Sequence, residues 1–118
     1  KGRETMAQRK FKISKTKRLA VCLRSEFHCL YCNRNLHGAN PENITMEHLD
    51  PQSKGGSDDL SNLFLACAKC NRERGNMPWR KYAKNGRTIR RVLKLRKTNI
   101  DPFYKLAATL IQEKNNGH

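Results

Sequence analysis

The stretch "MEHLDPQSKGGSDDLSNLFLACAKCNRERGN", residues 46–76, concentrates side chains that can hold a cation or move a proton. Glu47 and His48 are adjacent, Asn62 and Asn71 follow, and Cys67 and Cys70 form a Cys-x-x-Cys pair. A carboxylate and a carboxamide oxygen are hard donors that suit magnesium or manganese rather than zinc. An imidazole can take a proton from water near neutral pH. A hard cation beside such a base suits phosphodiester hydrolysis. The cation steadies charge on the phosphate and the leaving oxygen while the base activates water. One geometric constraint applies: adjacent residues of a regular strand point to opposite faces. Glu47 and His48 can therefore serve one phosphate only from a strand end or from its two sides.

The thiols call for a second metal. Cys29 and Cys32 form another Cys-x-x-Cys pair, separated from Cys67 and Cys70 by 34 residues. Two such turns supply the four sulfurs of a tetrahedral zinc site, so Cys29, Cys32, Cys67 and Cys70 are predicted to hold one structural zinc. Disulfides are disfavoured by the odd count of five cysteines and the lack of a secretion signal. Cys22 reads as a small core residue. His28 could replace a cysteine as ligand, but with four thiols at hand it and His37 read as surface or supporting residues.

Charge points to the partner. The net charge is +15 over 118 residues, and its distribution is uneven. Residues 1–24 carry +8, residues 25–79 carry −2, residues 80–97 carry +9, and residues 98–118 balance. Short charge runs are usually solvated surface. Two dense cationic segments flanking a slightly acidic centre instead fit a polyanion on the flanks and a cation in the middle. No apolar run is long enough to cross a bilayer, and no aromatic-rich amphipathic anchor favours a membrane surface. The chain opens on Lys1, as a trimmed or excerpted chain does.

Elements must position these groups. Ser14 is predicted to cap a helix over residues 14–26, and residues 36–43 read as loop. "NITMEH" alternates like a strand that Pro51 stops, "LFLAC" is a second short strand, and "AKCNRER" is a helix ended by Gly75. "TIRRVLKLRK" reads as a basic amphipathic helix with Ile89, Val92, Leu93 and Leu95 inward. Asp101 and Pro102 open a last helix running to about residue 113. Three parts are predicted: a flexible basic arm over 1–13, a zinc-stabilised core over 14–79, and a basic helical extension over 80–118 packing on it.

"CLYC" followed by residues 46–76 resembles the HNH endonucleases of the ββα-metal superfamily, over about residues 18–76. The likeness rests on the zinc knuckles, the acidic-His pair, the Pro and Gly-Gly loop, the Asn-Leu step and the Cys-x-x-Cys-Asn ending. It implies an α+β fold, a two-stranded hairpin and a helix joined by a four-cysteine zinc, with added helices. By the resemblance His48 is the general base and Asn62 braces the loop that positions it. Glu47 and Asn71 hold a catalytic Mg²⁺ or Mn²⁺, with Ni²⁺ a third candidate. Glu47 stands where aspartate is common and Asn71 where many members have histidine, which leaves the best metal open.

Each residue has a plainer reading. His48 could be satisfied by a backbone carbonyl, Asn62 could cap a turn, Asn71 could cap a helix and Glu47 could pair with an arginine. Asp50, Asp58 and Asp59 read as turn residues, and Trp79 as a packing residue. Arg72, Arg74, Arg80, Lys81, Arg87, Arg90, Arg91 and Lys94 are the candidate DNA contacts. The expectation is an intracellular endonuclease nicking double-stranded DNA in the cytoplasm or nucleoid of a bacterium or phage-infected host. It could work with proteins of phage packaging or of a restriction system. The rivals are a zinc-stabilised binding module without catalysis and a nuclease acting on RNA or branched DNA.

Overall fold

The computed structural model describes residues 13–50 and 60–116. Residues 1–12 of the arm expected over 1–13, and the Pro and Gly-Gly loop with Asp58 and Asp59, lie outside the described residues. The elements are α1 (Lys15–Arg24), β1 (Ile44–His48), β2 (Leu63–Cys67), α2 (Ala68–Arg74), α3 (Trp79–Tyr82), α4 (Gly86–Lys97) and α5 (Asp101–Asn116). Single 3-10 turns, Pro41–Asn43 and Leu60–Asn62, lead into the two strands. The fold is α+β: an antiparallel hairpin followed at once by a helix, with flanking helices.

Ser14 caps α1 by accepting a hydrogen bond from Lys17 N at 3.2 Å. The helix stops two residues short of the expected end. Glu26 N returns to Leu23 O at 3.0 Å and Phe27 N to Cys22 O at 2.8 Å. These are the paired bonds of a Schellman turn, here built without glycine: Glu26 and Phe27 both take positive φ, 54° and 61°. Ile13, at the boundary of the expected arm, is buried, and Arg18 Nη1 donates to its carbonyl at 2.5 Å.

β1 and β2 pair in register from Ile44–Cys67 at one end to His48–Leu63 at the other. All five residues of β2, "LFLAC", are buried. α1 packs on this strand and α2 covers the hairpin, so both faces of β2 are enclosed and its sequence is apolar throughout rather than alternating. The chain leaves β2 directly into α2, with Cys67 at the N-cap. Its Sγ accepts from Cys70 N at 3.4 Å. Gly75 ends α2 with φ 54°, ψ −125°, a conformation a side chain would strain.

α4 starts two residues earlier than the apolar pattern indicates, because Asn85 caps it through Thr88 N at 2.8 Å. Val92 is fully buried, and Ile89, Leu93 and Leu95 pack against the core. Trp79 is buried in that same core. α5 packs along α1 and buries Ala107.

Candidate functional site

The hairpin brings the two Cys-x-x-Cys turns together. Leu30 N donates to Leu65 O at 2.8 Å, which docks the first turn on β2. Cys67 N then donates to Cys29 Sγ at 3.3 Å. The ligand atoms of Cys29, Cys32, Cys67 and Cys70 all lie within 4.8 Å of one another, with Cys32 and Cys67 sulfurs 3.9 Å apart. Sulfurs about 2.3 Å from a tetrahedral zinc would sit about 3.8 Å apart, so the cluster fits a structural zinc.

Its electrostatics support a cation. The Cys70 thiol donates to Cys29 and pulls it down to about 5 against the opposing effect of burial, helped by nearby backbone N–H groups. That hydrogen bond, then burial, pushes Cys70 up, and burial raises Cys32. One thiolate is thus held by its neighbours, and bringing all four sulfurs to the thiolate form requires a positive ion among them. Among the described residues this is the only group of three or more His, Cys, Asp or Glu placed to hold a metal.

Glu47 and His48 sit at the other end of the hairpin. His48 ends β1 and is 8% exposed; Glu47 is 0% exposed. The strand's alternation turns Thr45 and Glu47 toward α2 and puts His48 on the opposite face. On α2, Asn71 Nδ2 donates to Thr45 Oγ1, and Thr45 Oγ1 donates to Ala66 O at 2.7 Å. One turn later Arg74 Nη1 pairs with Glu47 Oε2, which also accepts from the Tyr31 hydroxyl at 2.7 Å. Glu47 and Asn71 therefore belong to facing surfaces of β1 and α2. They are one carboxylate and one carboxamide, the small hard set that magnesium takes from a protein while keeping waters and substrate phosphate oxygens as its other partners. A cation there would share Glu47 with Arg74 and Tyr31.

Asn62 brackets the chain beyond His48. Its Oδ1 accepts from Asp50 N at 2.8 Å, its Nδ2 donates to Asp50 O at 3.0 Å, and its carbonyl accepts from Leu49 N at 2.9 Å.

The arginines divide in a way their spacing does not reveal. Arg72, Arg80, Lys81, Arg87, Arg90 and Lys94 are exposed, with the Arg80 guanidinium 4.8 Å over the Trp79 ring. Arg74, grouped with the DNA contacts on sequence, is instead 2% exposed and fully engaged inside the protein. Burial alone would lower its pKa; the Glu47 charge and Tyr31 outweigh that and hold it above its ordinary value. Arg91 is half-buried, and its Nη1 donates to Leu30 O at 2.9 Å, tying α4 to the first cysteine turn. Arg24 was not singled out by the sequence. It is buried over the Phe64 ring at 4.3 Å and donates to the carbonyls of Leu60 and Leu63. Its place on the buried stripe of α1, one turn beyond Ala20 and Val21, is the signal that could have found it.

Residues 29–77 match the family model for the HNH endonuclease. This part of the chain is similar to an HNH endonuclease domain. The chain is also 33% identical over 63 residues to the CRISPR-associated endonuclease Cas9 of Corynebacterium diphtheriae. That alignment covers 52% of this chain and 6% of the relative, so the chain spans only a small part of that protein's length. No solved structure matches the chain at comparable stringency. Among the described residues no helix is long and apolar enough to cross a membrane. The HNH match supports a nuclease.

Proposed function

We propose that the protein is a metal-dependent endonuclease that hydrolyses phosphodiester bonds of double-stranded DNA, nicking one strand at a time. The observation that carries this reading is the packing of α2 against β1 inside the HNH segment, which sets Glu47 and Asn71 on facing surfaces with His48 at the adjoining strand end. His48 takes the proton from the attacking water. Asn62 holds the backbone just beyond His48 and so fixes the exit of β1. A Mg²⁺ or Mn²⁺ ion, with Ni²⁺ a third candidate, would be held by Glu47 and Asn71 and would supply charge stabilisation at the scissile phosphate. One zinc on the four cysteines would keep α2 against the hairpin. Residues 80–118 act as a basic extension on the core, whose exposed Arg80, Lys81, Arg87, Arg90 and Lys94 grip the DNA backbone together with Arg72. The enzyme works beside DNA in the cytoplasm or nucleoid.

The test is cleavage of supercoiled plasmid by the zinc-loaded protein, without added divalent metal and then with Mg²⁺, Mn²⁺ or Ni²⁺. The parent should yield nicked circles with added metal. His48→Ala should lose about 10²–10⁴-fold in rate while binding DNA equally well. Equal DNA binding with no cleavage by the parent under any of these metals would leave a binding module and overturn the reading.

A further inference from the structure

Arg74 makes five polar contacts at this end of the hairpin, and all of them point inward. Its Nε donates to Met77 O at 2.7 Å, and its Nη2 donates to Leu49 O at 2.9 Å. Its Nη1 reaches Glu47 Oε2, the Tyr31 hydroxyl at 3.2 Å and His48 O at 3.3 Å. Asn62 holds the other edge of the same short segment, at Leu49 N and at both backbone groups of Asp50. The backbone of residues 48–50 is therefore gripped between a buried guanidinium and a buried carboxamide. The guanidinium is planar, always charged and presents donors in several fixed directions. A lysine ammonium brings the same charge on a single point and cannot span the Glu47 carboxylate and the carbonyls of His48, Leu49 and Met77 together.

We propose that Arg74 is the positioning residue of the His48 site: it sets the exit of β1, and hence the imidazole, by bridging Glu47 to the His48 and Leu49 carbonyls, and it makes no contact with DNA. This rests on the reading of His48 as the base. A misplacement of reacting groups by about 1 Å can cost on the order of 100-fold in rate, so the loss of this grip should appear in turnover rather than in binding.

The experiment compares the parent, Arg74→Lys, Arg72→Ala and His48→Ala, each loaded with one zinc. It measures single-turnover cleavage of plasmid across pH, DNA affinity across salt, and amide hydrogen exchange. Arg74→Lys should lower the cleavage rate by about 10–100-fold and change its pH profile. It should leave DNA affinity and its salt dependence at parental values. The Leu49 and Asp50 amides should exchange faster in this variant while the β1–β2 ladder stays protected, a readout that needs no catalysis and shows that the variant is folded. Arg72→Ala should instead reduce the salt slope by about 0.9 and leave the pH profile alone. A reduced salt slope and weaker binding in Arg74→Lys, with cleavage of bound DNA unchanged, would make Arg74 a phosphate contact and overturn the proposal. So would a variant that matches the parent in rate and in Leu49 and Asp50 exchange. If His48→Ala cuts at the parental rate, the base assignment falls first and the proposal falls with it, whereas a parental Arg74→Lys removes the proposal alone.

Discussion

The two ends of one hairpin of five-residue strands are held by opposite chemistries. At the Ile44–Cys67 end four soft sulfurs converge, and the strand runs straight into α2 through a cysteine cap. At the His48–Leu63 end the holding groups are a carboxylate, a guanidinium, a phenol and a carboxamide, linked by hydrogen bonds. A metal-sulfur site concentrates its stabilisation in one place and leaves no open position for substrate once four ligands are bound. A polar network spreads it over many weaker bonds, each sensitive to the loss of a single partner. The sulfur end therefore suits holding the fold, and the polar end suits holding reactive groups in place.

The sharpest way to break that division is to remove a sulfur. Cys70→Ser takes one ligand and the thiol that hydrogen-bonds Cys29. Structural zinc contributes on the order of 10 kcal/mol to the folding of small domains. This variant, or the parent treated with a strong chelator, should lose its cooperative thermal transition. A variant that stays folded with no metal on the sulfurs would show that the polar end and the core suffice, and the comparison would fail.

At the polar end the effect should be smaller and of another kind. Asn62→Ala removes both side-chain bonds to the Asp50 backbone. The stability cost should be about 1–3 kcal/mol, and the melting transition should stay cooperative. Cleavage should fall more steeply than stability, by about tenfold or more. Calorimetry beside a plasmid assay checks both, and equal loss of each would mean that Asn62 serves the fold alone.

The two ends were not equally legible in the sequence. The sulfur end follows from the spacing of Cys29, Cys32, Cys67 and Cys70, because a pair of Cys-x-x-Cys turns has few other uses. Asn62 and Asn71 could be named from the motif. Arg74 could not be placed, because it lies two residues from exposed Arg72 with the same charge, and only the helix phase of α2 separates inside from outside. The Schellman turn at Glu26 and Phe27 was hidden because no glycine marks it. Arg24 falls within the basic flank by sequence, although its guanidinium donates to the Leu60 and Leu63 carbonyls at the entry to β2. Buried arginines defeat composition-based reading, since burial is decided by partners far away in the chain.

Cys22 sharpens the contrast from the sulfur side, as a thiol outside the cluster. Burial pushes it up to about 12 from the ordinary thiol value of 9.0, with Arg18 a smaller opposing influence. The folded protein keeps this proton where the unfolded chain loses it. Its contribution to stability is therefore complete below pH 9 and is lost as pH rises toward 12. The parent should lose roughly 1 kcal/mol more than Cys22→Ala by pH 10, read from urea melts at several pH values. Equal slopes for the two proteins would mean that Cys22 is not shielded as its burial indicates.

The smallest effect tests whether the basic helix belongs to the polar end at all. Arg96 on α4 pairs with Asp50 at 2.8 Å, with both side chains substantially exposed. Such a pair contributes about 0–1 kcal/mol, so Arg96→Ala should barely move the melting temperature. Yet Asp50 is the residue whose backbone Asn62 brackets, two positions beyond His48. If α4 only adds charge for DNA, Arg96→Ala should weaken binding modestly and leave cleavage of bound DNA untouched. If the pair also steadies the exit of β1, cleavage of bound DNA should slow by a few-fold and Asp50→Asn should slow it equally, since either change removes the same contact.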